Sequence, residues 1–421
     1  MRNARLLIPI FVLVLAIDLA TKNTLMGRLT YLLGAILVVT FLWSWLNIRR
    51  IQVFRQTRSR RAQVGQYVEE RFAVRNQSIF PKLWLEMDDQ STLPGHHAGR
   101  VVNSLAGRKQ RNWQVRTYAR RRGRYTLGPI TLATGDPLGL FRFERHLPAT
   151  SSMVVYPATI DLPRFEPPIG QLVGGEALRL RTQYVTTNVS GVRDYVPGDS
   201  FNRIHWPTSA RRDRLMVKQF EIDPTADVWI VLDMQRDVQA GQPLSDNDRE
   251  MLPAMLANGQ APLIAPNTEE YGVTVAASIA RHFIIRNRSV GLITYGQDRE
   301  VVQLDRGERQ LSKILETLAV IRAVGRAPLE QVITAEERLF GRNSVVIVIT
   351  ASAFDPWVSI LRDYRRRGAS STAVLIEAST FGDNQPSAIN VVSSLIASGV
   401  PTYLVKNGDA IDAALGQRAS V

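Results

Sequence analysis

The chain has 421 residues, and its 52 Lys and Arg side chains outnumber 38 Asp and Glu, which gives a formal net charge of +14. This length predicts two or three domains rather than one. The sequence contains no cysteine and five histidines. Disulfides, thiol catalysis, iron–sulfur clusters and cysteine-ligated zinc are therefore excluded, and a histidine-rich metal site is not expected.

Two apolar runs open the chain, Leu6–Ala20 and Leu29–Leu46. The second run is long enough to cross a bilayer, whereas the first is short and contains Pro9 and Asp18, so whether it spans fully stays open. A cleaved signal peptide is the alternative interpretation of the first run. No small-x-small cleavage site follows that run, and the second comes at once. Residues 1–50 are therefore predicted to form a transmembrane helical hairpin with its turn at Thr21–Arg28.

Basic residues next to the two runs set the predicted orientation. Arg2 and Arg5 precede the first run, and six arginines follow the second with no acid among them: Arg49, Arg50, Arg55, Arg58, Arg60 and Arg61. The positive-inside rule places the N-terminus and the bulk of the chain in the cytoplasm, anchored in the inner (plasma) membrane.

A second acid-free basic run lies within Arg108–Arg124. Beside a membrane anchor, each base that faces an anionic leaflet contributes about 1 kcal/mol. A solvated basic strand face is the competing interpretation. Nucleic acid is the least favoured partner, because the bases concentrate in two runs that a membrane surface would also attract.

Residues 51–160 carry the pattern of short strands. Apolar alternation recurs in Gln66–Val74, Lys82–Met87, Trp113–Tyr118 and Tyr125–Ala133, with turn residues between the segments. This pattern predicts a small antiparallel β-sandwich. Residues 161–226 show little periodicity and are predicted to be a connector.

Residues 227–421 alternate short apolar strands with amphipathic helices. Val228–Leu232 and Val345–Ile349 are typical of strands covered on both faces, and Tyr271–Arg286 has helical spacing between them. The alternation predicts an α/β doubly wound domain with a mostly parallel sheet.

Ligands bind such a sheet at the carboxyl ends of its strands, where Asp233 and Asp237 follow the first strand. Gln235 stands where a hydroxyl would complete an oxygen-rich Mg²⁺ site, and no acid lies directly at the tip of Val345–Ile349. No metal or other cofactor is therefore expected, with Asp233 and Asp237 as weak magnesium candidates. A helix cap or loop acceptor is the favoured role of Asp233.

Catalytic motifs are missing from the sequence. It has no glycine-rich phosphate loop, no G-x-S-x-G elbow and no histidine in a plausible Ser/His/Asp set. No catalytic residue is predicted, and the chain is not expected to be an enzyme.

The most densely patterned part is the 193–218 segment, which runs from Arg193 to Lys218. Pro197-Gly198 predicts a turn, and Asp199 is placed to cap a short helix and to pair with Arg203. Pro207 is expected to end that helix, with Thr208 or Ser209 capping the next. Two roles stay open, a joint between domains and a docking surface for a partner. The predicted joint or partner-binding residues are Arg193, Tyr195, Pro197, Gly198, Asp199, Arg203, His205, Trp206, Arg211 and Lys218.

These residues resemble the signature of the bacterial family called domain of unknown function 58. Supporting matches lie in Arg122–Tyr125, Asp136–Phe141 and Val155–Pro157. The resemblance implies an N-terminal membrane hairpin, a β-sandwich-like region and a von Willebrand factor A-like domain. It also implies a protein partner, an AAA+ ATPase of the MoxR type. The chain departs from that domain's metal motif, because Asp233-x-Gln-x-Asp237 replaces Asp-x-Ser-x-Ser.

The leading hypothesis is a membrane-anchored, cytoplasm-facing adaptor or scaffold that binds this ATPase in the assembly or remodelling of other complexes. The alternative is a metal-dependent ligand-binding module that uses the degenerate Asp233 site. The client, the process served and the oligomeric state are not predicted.

Overall fold

The computed structural model describes residues 4–21, 23–166, 180–181, 189–197, 199, 201, 204–222, 227–241, 264–341, 344–382 and 385–419. The described residues divide into two compact units, the first ending at Tyr156 and the second beginning at Pro157.

The first unit begins with two helices, α1 (Ala4–Thr21) and α2 (Thr24–Ile48). Among the described residues, α2 alone has both the length and the apolar composition needed to cross a membrane. The predicted turn at Thr21–Arg28 was too long. Helix α2 starts sooner because the side chain of Asn23 accepts a 3.0 Å hydrogen bond from the backbone N–H of Leu25 and so caps the helix.

The described strands of the first unit form three sheets, ordered β1-β3-β6, β5-β4-β8-β9 and β2-β10-β7. Their pairings are antiparallel except for β2 with β10. The strands are β1 (Ile51–Thr57), β2 (Arg61–Gln63), β3 (Tyr67–Asn76), β4 (Lys82–Asp89), β5 (Arg100–Leu105), β6 (Gln110–Tyr118), β7 (Gly123–Leu127), β8 (Ile130–Gly135), β9 (Arg142–Leu147) and β10 (Ser151–Tyr156).

Alternation along these strands builds a shared core. In β3 every second side chain is buried, and Phe72 and Val74 pack in one cluster with Leu85 and Met87 of the second sheet. The predicted Tyr125–Ala133 strand is divided at Gly128-Pro129, and its halves β7 and β8 lie in different sheets. Pro129 lacks an N–H for a ladder, and Gly128 has a φ of 84°, which favours glycine.

The described strands of the second unit are β11 (Leu180–Arg181), β12 (Val189–Asp194), β13 (Met216–Ile222), β14 (Asp227–Leu232), β15 (Val290–Tyr295), β16 (Arg299–Asp305), β17 (Ser344–Thr350), β18 (Ser370–Ile376) and β19 (Thr402–Val405). Its described helices are α3 (Trp206–Arg212), α4 (Thr268–Ile285), α5 (Gly307–Val320), α6 (Leu329–Ala335), α7 (Pro356–Arg366), α8 (Ile389–Ala397) and α9 (Ile411–Ala414).

A six-stranded sheet dominates the described part of this unit, in the order β16-β15-β14-β17-β18-β19. All its pairings are parallel except β15 with β16 at one edge. Helix α4 packs on one face, where Gly272 meets Leu232 and Ile349. On the other face Trp229 shares a core with α6, α7 and α8. The mixed α/β content predicted for this region is confirmed, and the strand order reverses between β14 and β17.

Candidate functional site in the 193–218 segment

The 193–218 segment is held between two paired strands. Strands β12 and β13 run antiparallel, with Arg193 opposite Val217 and Asp194 opposite Met216. The insertion between these strands, residues 195–215, makes two backbone hydrogen bonds back to this end of the ladder. The N–H of Tyr195 donates to the carbonyl of Leu215 at 2.9 Å, and the N–H of His205 donates to the carbonyl of Met216 at 2.8 Å. The described backbone of the insertion is therefore anchored at its start and at its middle.

An ion pair closes the first turn of the insertion. The guanidinium of Arg193 donates to both carboxylate oxygens of Asp199, at 2.6 and 2.7 Å, and this pairing raises the pKa of Arg193. Asp199 also accepts a 3.0 Å hydrogen bond from the N–H of Val196. The sequence did not predict the Arg193 pair. The predicted partner Arg203 and the turn residue Gly198 lie outside the described residues, so the Asp199–Arg203 pair stays a prediction.

Helix α3 begins differently from the prediction. Pro207 does not end a helix; it lies in the first turn of α3, where its missing N–H has no intrahelical partner to lose. The cap is His205 rather than Thr208 or Ser209, because the His205 ring nitrogen Nδ1 accepts from the N–H of Thr208 at 3.3 Å. Buried Ser209 instead ties α3 to β13, since its hydroxyl accepts a 2.9 Å hydrogen bond from the N–H of Met216.

Large apolar side chains are left exposed on this anchored frame. Phe201 is 70% exposed and Trp206 is 64% exposed, and Val196 and Leu215 are exposed as well. The ring of Tyr195 lies 6.1 Å from that of Phe201. Because Trp206 is exposed, truncating its side chain would leave no cavity in a core.

Cations surround these apolar groups along the chain. Arg211, Arg212 and Arg214 are exposed, and Lys218 is half-buried. Arg214 also pairs with Asp194 at 3.3 Å. We call the exposed large apolar and arginine side chains of this insertion the aromatic–basic surface; they are Val196, Phe201, Trp206, Arg211, Arg212, Arg214 and Leu215. Such a surface combines the residue types that contribute most to protein interfaces.

Asp233 lies at the point where the strand order of the large sheet reverses. Its carboxylate accepts hydrogen bonds from the hydroxyl of Thr350 at 2.6 Å and from the N–H of Gln235 at 2.9 Å. Burial raises the pKa of Asp233 to about 6, although these hydrogen bonds oppose the rise. The sequence analysis did not predict the contact with Thr350. Its position directly after the buried strand that ends at Ile349 could have indicated it.

These contacts supply only part of a magnesium site. The two oxygens of Asp233 accept hydrogen bonds from Thr350 and Gln235, and Asp237 is exposed, so the described residues do not gather the several oxygen ligands that Mg²⁺ takes. The arrangement matches the loop-acceptor role that the sequence favoured for Asp233.

The sequence analysis did not predict a second polar cluster, which lies in the first unit. His96 lies in the loop between β4 and β5, and its side chain is buried between Asp89, at 2.9 Å, and Glu70, at 3.2 Å. Arg55 donates to both carboxylates at 2.9 and 3.1 Å. Burial alone would raise the pKa of Asp89, but hydrogen bonds from His96 and Ser91 and the charge of Arg55 lower it.

The spacing of Glu70, Asp89 and His96 would suit a metal ion, since their ligand atoms lie within 4.8 Å of one another. However, Arg55 supplies the positive charge that an ion would supply, and it donates to both carboxylates. We therefore interpret the cluster as a buried ion network.

The described fold thus defines a chain of mixed α/β content with an apolar N-terminal helix and an exposed, strand-framed segment. A family model described as "Protein of unknown function DUF58" matches residues 191–258, which include the whole 193–218 segment. The resemblance stated from the sequence is confirmed by this match, in which residues 191–258 are similar to the DUF58 family.

The uncharacterized protein YeaD of Bacillus subtilis (strain 168) is 24% identical over 230 residues, which cover 53% of this chain and 48% of that protein. The chain therefore matches about half the length of this curated relative.

Similarity to solved structures is remote. The pilus adhesin SpaC of Lactobacillus rhamnosus GG matches 46% of this chain and 30% of its own length, at 10% identity and a TM-score of 0.29. Proximal thread matrix protein 1 of the mussel byssus matches 46% of this chain and 44% of its own length, at 12% identity and a TM-score of 0.27. TM-scores this low carry no argument about fold or function.

Proposed function

We propose that this protein is a membrane-anchored, cytoplasm-facing adaptor that binds a protein partner through the aromatic–basic surface. The observation that carries the proposal is the exposure of Trp206 and Phe201 on a backbone fixed by hydrogen bonds and by the Arg193–Asp199 pair. Exposed apolar residues are ordinary when scattered, but several within one short insertion mark an interaction site.

The hydrogen bonds among the described residues of the segment support this role energetically. Ordering a loop on binding consumes part of the interaction free energy, and a preformed loop avoids that loss. Arg193 and Asp199 hold the first turn, and Ser209 holds α3 against β13. The aromatic side chains are thus presented by a frame that exists before the partner arrives.

Charge favours a partner with an acidic surface. Arg211, Arg212 and Arg214 all lie within eight positions of Trp206. Complementary charge speeds association and excludes wrong partners. The family resemblance implies an AAA+ ATPase of the MoxR type, and we propose that class as the partner, in the assembly or remodelling of other complexes. We propose binding rather than catalysis as the role of the chain.

Anchoring is proposed to come from α1 and α2 as a membrane hairpin in the inner (plasma) membrane. The 25 residues of α2 span about 38 Å, which exceeds the roughly 30 Å of a hydrocarbon core. The arginines that follow α2 support a cytoplasmic position for the rest of the chain.

We further propose that the sheets of the first unit form a β-sandwich and that the second unit is von Willebrand factor A-like. The shared core of the first two sheets supports the former. The parallel sheet with one antiparallel edge strand supports the latter.

Affinity capture with the full-length, detergent-solubilised protein tests the proposed function. The parent protein is expected to retain a MoxR-type ATPase, and Phe201→Ala is expected to lose it. Phe354→Ala is the matched control, because Phe354 is 69% exposed but lies outside the segment. Equal capture by the parent and Phe201→Ala, or no ATPase with the parent, would contradict the proposal.

A further inference from the structure

Exposed apolar side chains gather around the C-terminal end of α2. Ile79 and Phe80 are each 71% exposed, and Trp84 and Leu138 are also exposed. We call these four residues the apolar rim. They belong to two stretches, residues 79–84 and 136–143, that directly contact the last turns of α2 within the same unit.

The first stretch is tied to α2 by polar contacts. The Asn47 side chain donates to the carbonyl of Leu83 and accepts a 3.1 Å hydrogen bond from its N–H. The Lys82 ammonium donates to the carbonyl of Leu46. Asn47 and Lys82 are both buried polar residues, so their contacts fix the stretch to the end of α2.

The second stretch contacts α2 further from its C-terminal end, at Ser44 and Phe41. The hydroxyl of Ser44 donates to the carbonyl of Phe141 at 3.3 Å, and the Phe41 ring lies 5.5 Å from the Phe141 ring. From Phe41 to Ile48 the helix rises about 10 Å. The sheet therefore reaches past the helix end into the level of its apolar surface.

The exposed Trp84 has a strained, left-handed backbone conformation. Its φ of 56° is rare for a bulky residue, so its surroundings must enforce it. The carbonyl of Trp84 accepts from the Thr134 hydroxyl at 2.8 Å, and that hydroxyl also bonds Asn47 at 2.6 Å. The end of α2 thus takes part in presenting an exposed tryptophan.

Basic groups border the rim. The guanidinium of Arg49 lies 3.5 Å above the ring of Trp45, and exposed Arg108 and Lys109 occupy the turn whose backbone bonds to Ser78 and Asn76. Aromatic and apolar groups beside Lys and Arg are the pattern of a surface at the membrane interface, where the cations meet anionic headgroups.

We propose that the apolar rim is inserted into the interfacial layer of the anionic cytoplasmic leaflet. The first unit would then contact the lipid directly, rather than being attached to the membrane through α2 alone. The inference rests on the proposed membrane anchoring by α2. The occupant of the rim is lipid, because the rim continues the apolar surface of the membrane helix and is bordered by cations.

Depth-dependent quenching tests this proposal in the full-length chain, which has no cysteine. Single variants Phe80→Cys and Leu138→Cys are labelled with an environment-sensitive fluorophore in vesicles of phosphatidylethanolamine and phosphatidylglycerol. Leu32→Cys marks the middle of α2. Tyr67→Cys marks an exposed position at the far end of β3, about 30 Å along the strand from Asn76, which bonds the carbonyl of Phe80.

Shallow acyl-chain nitroxides are expected to quench positions 80 and 138, deep nitroxides position 32, and neither position 67. Quenching at position 32 without quenching at positions 80 and 138 would contradict insertion of the apolar rim into lipid. This holds whether the two positions face water or are covered by a second copy of the chain. Lack of quenching at 32 would overturn the anchoring itself, which separates the two failures.

Discussion

Arg193 and Asp199 form a two-bonded ion pair, at 2.6 and 2.7 Å, that closes the turn leading into the aromatic–basic surface. The two residues are six positions apart, and Arg193 belongs to β12 while Asp199 lies in the insertion. The pair therefore couples the strand frame to the turn that presents the apolar groups.

Arg193→Lys is expected to weaken partner binding while changing the free energy of unfolding by less than about 1 kcal/mol. Lysine keeps the charge but cannot make the two parallel hydrogen bonds, and an ion pair with an exposed arginine contributes little to stability. Arg366→Lys is the control, since Arg366 is exposed and its 3.9 Å pair with Asp363 lies outside the segment. Thermal unfolding and ATPase capture measure the two effects; a large drop in Tm would show a structural role instead.

Trp206→Ala is expected to leave the Tm of the protein nearly unchanged, because its side chain is exposed. Trp229→Ala provides the contrast, since Trp229 is 1% exposed in the core and its removal is expected to cost about 3–5 kcal/mol. Denaturant unfolding of both variants checks this. Comparable destabilisation by the two changes would mean that Trp206 is buried in the folded protein.

Asp233→Asn is expected to flatten the pH dependence of stability between about pH 4 and pH 7. Because the folded pKa is raised from 3.8 to about 6, the contribution of the parent aspartic acid is complete below the unfolded pKa and is lost as pH rises through 6. That loss amounts to about 3 kcal/mol. Unfolding of parent and variant across this range measures it; parallel curves would contradict the raised pKa.

Glu70→Gln is expected to destabilise the first unit by about 3–5 kcal/mol, since it leaves buried Arg55 and His96 with one carboxylate fewer. Glu69→Gln, one position away and paired on the surface with Arg58 and Arg116, is the control and should cost far less.

The same cluster should make stability depend on pH. Because the pKa of Asp89 is lowered from 3.8, the contribution of its carboxylate to stability is present above that value and is lost as pH falls. A chelator should leave Tm unchanged; a drop would reveal a bound metal.

Periodicity was sufficient for the elements that face a core. The continuous apolar runs of β14 and β17 and the alternation of β3 follow from burial on two faces and on one. The strand order could not be predicted in the same way, because pairing depends on contacts between distant parts of the chain.

The polar contacts escaped prediction for the same reason. Thr350 meets Asp233 across 117 positions, and His96, in the loop after β4, meets Glu70 of β3. Within the 193–218 segment, residue types indicated a recognition surface, but turn geometry decided that Arg193 pairs with Asp199 and that His205 caps α3.

The affinity of the full-length protein for a purified MoxR-type ATPase tests the central claim most directly. Truncation of a central aromatic anchor costs at least about 2 kcal/mol, or roughly a 30-fold rise in Kd. We predict such a rise for Trp206→Ala and Phe201→Ala and an unchanged Kd for Phe354→Ala. Parent-like affinity of the two segment variants, or an equal loss in Phe354→Ala, would contradict the assignment of the aromatic–basic surface.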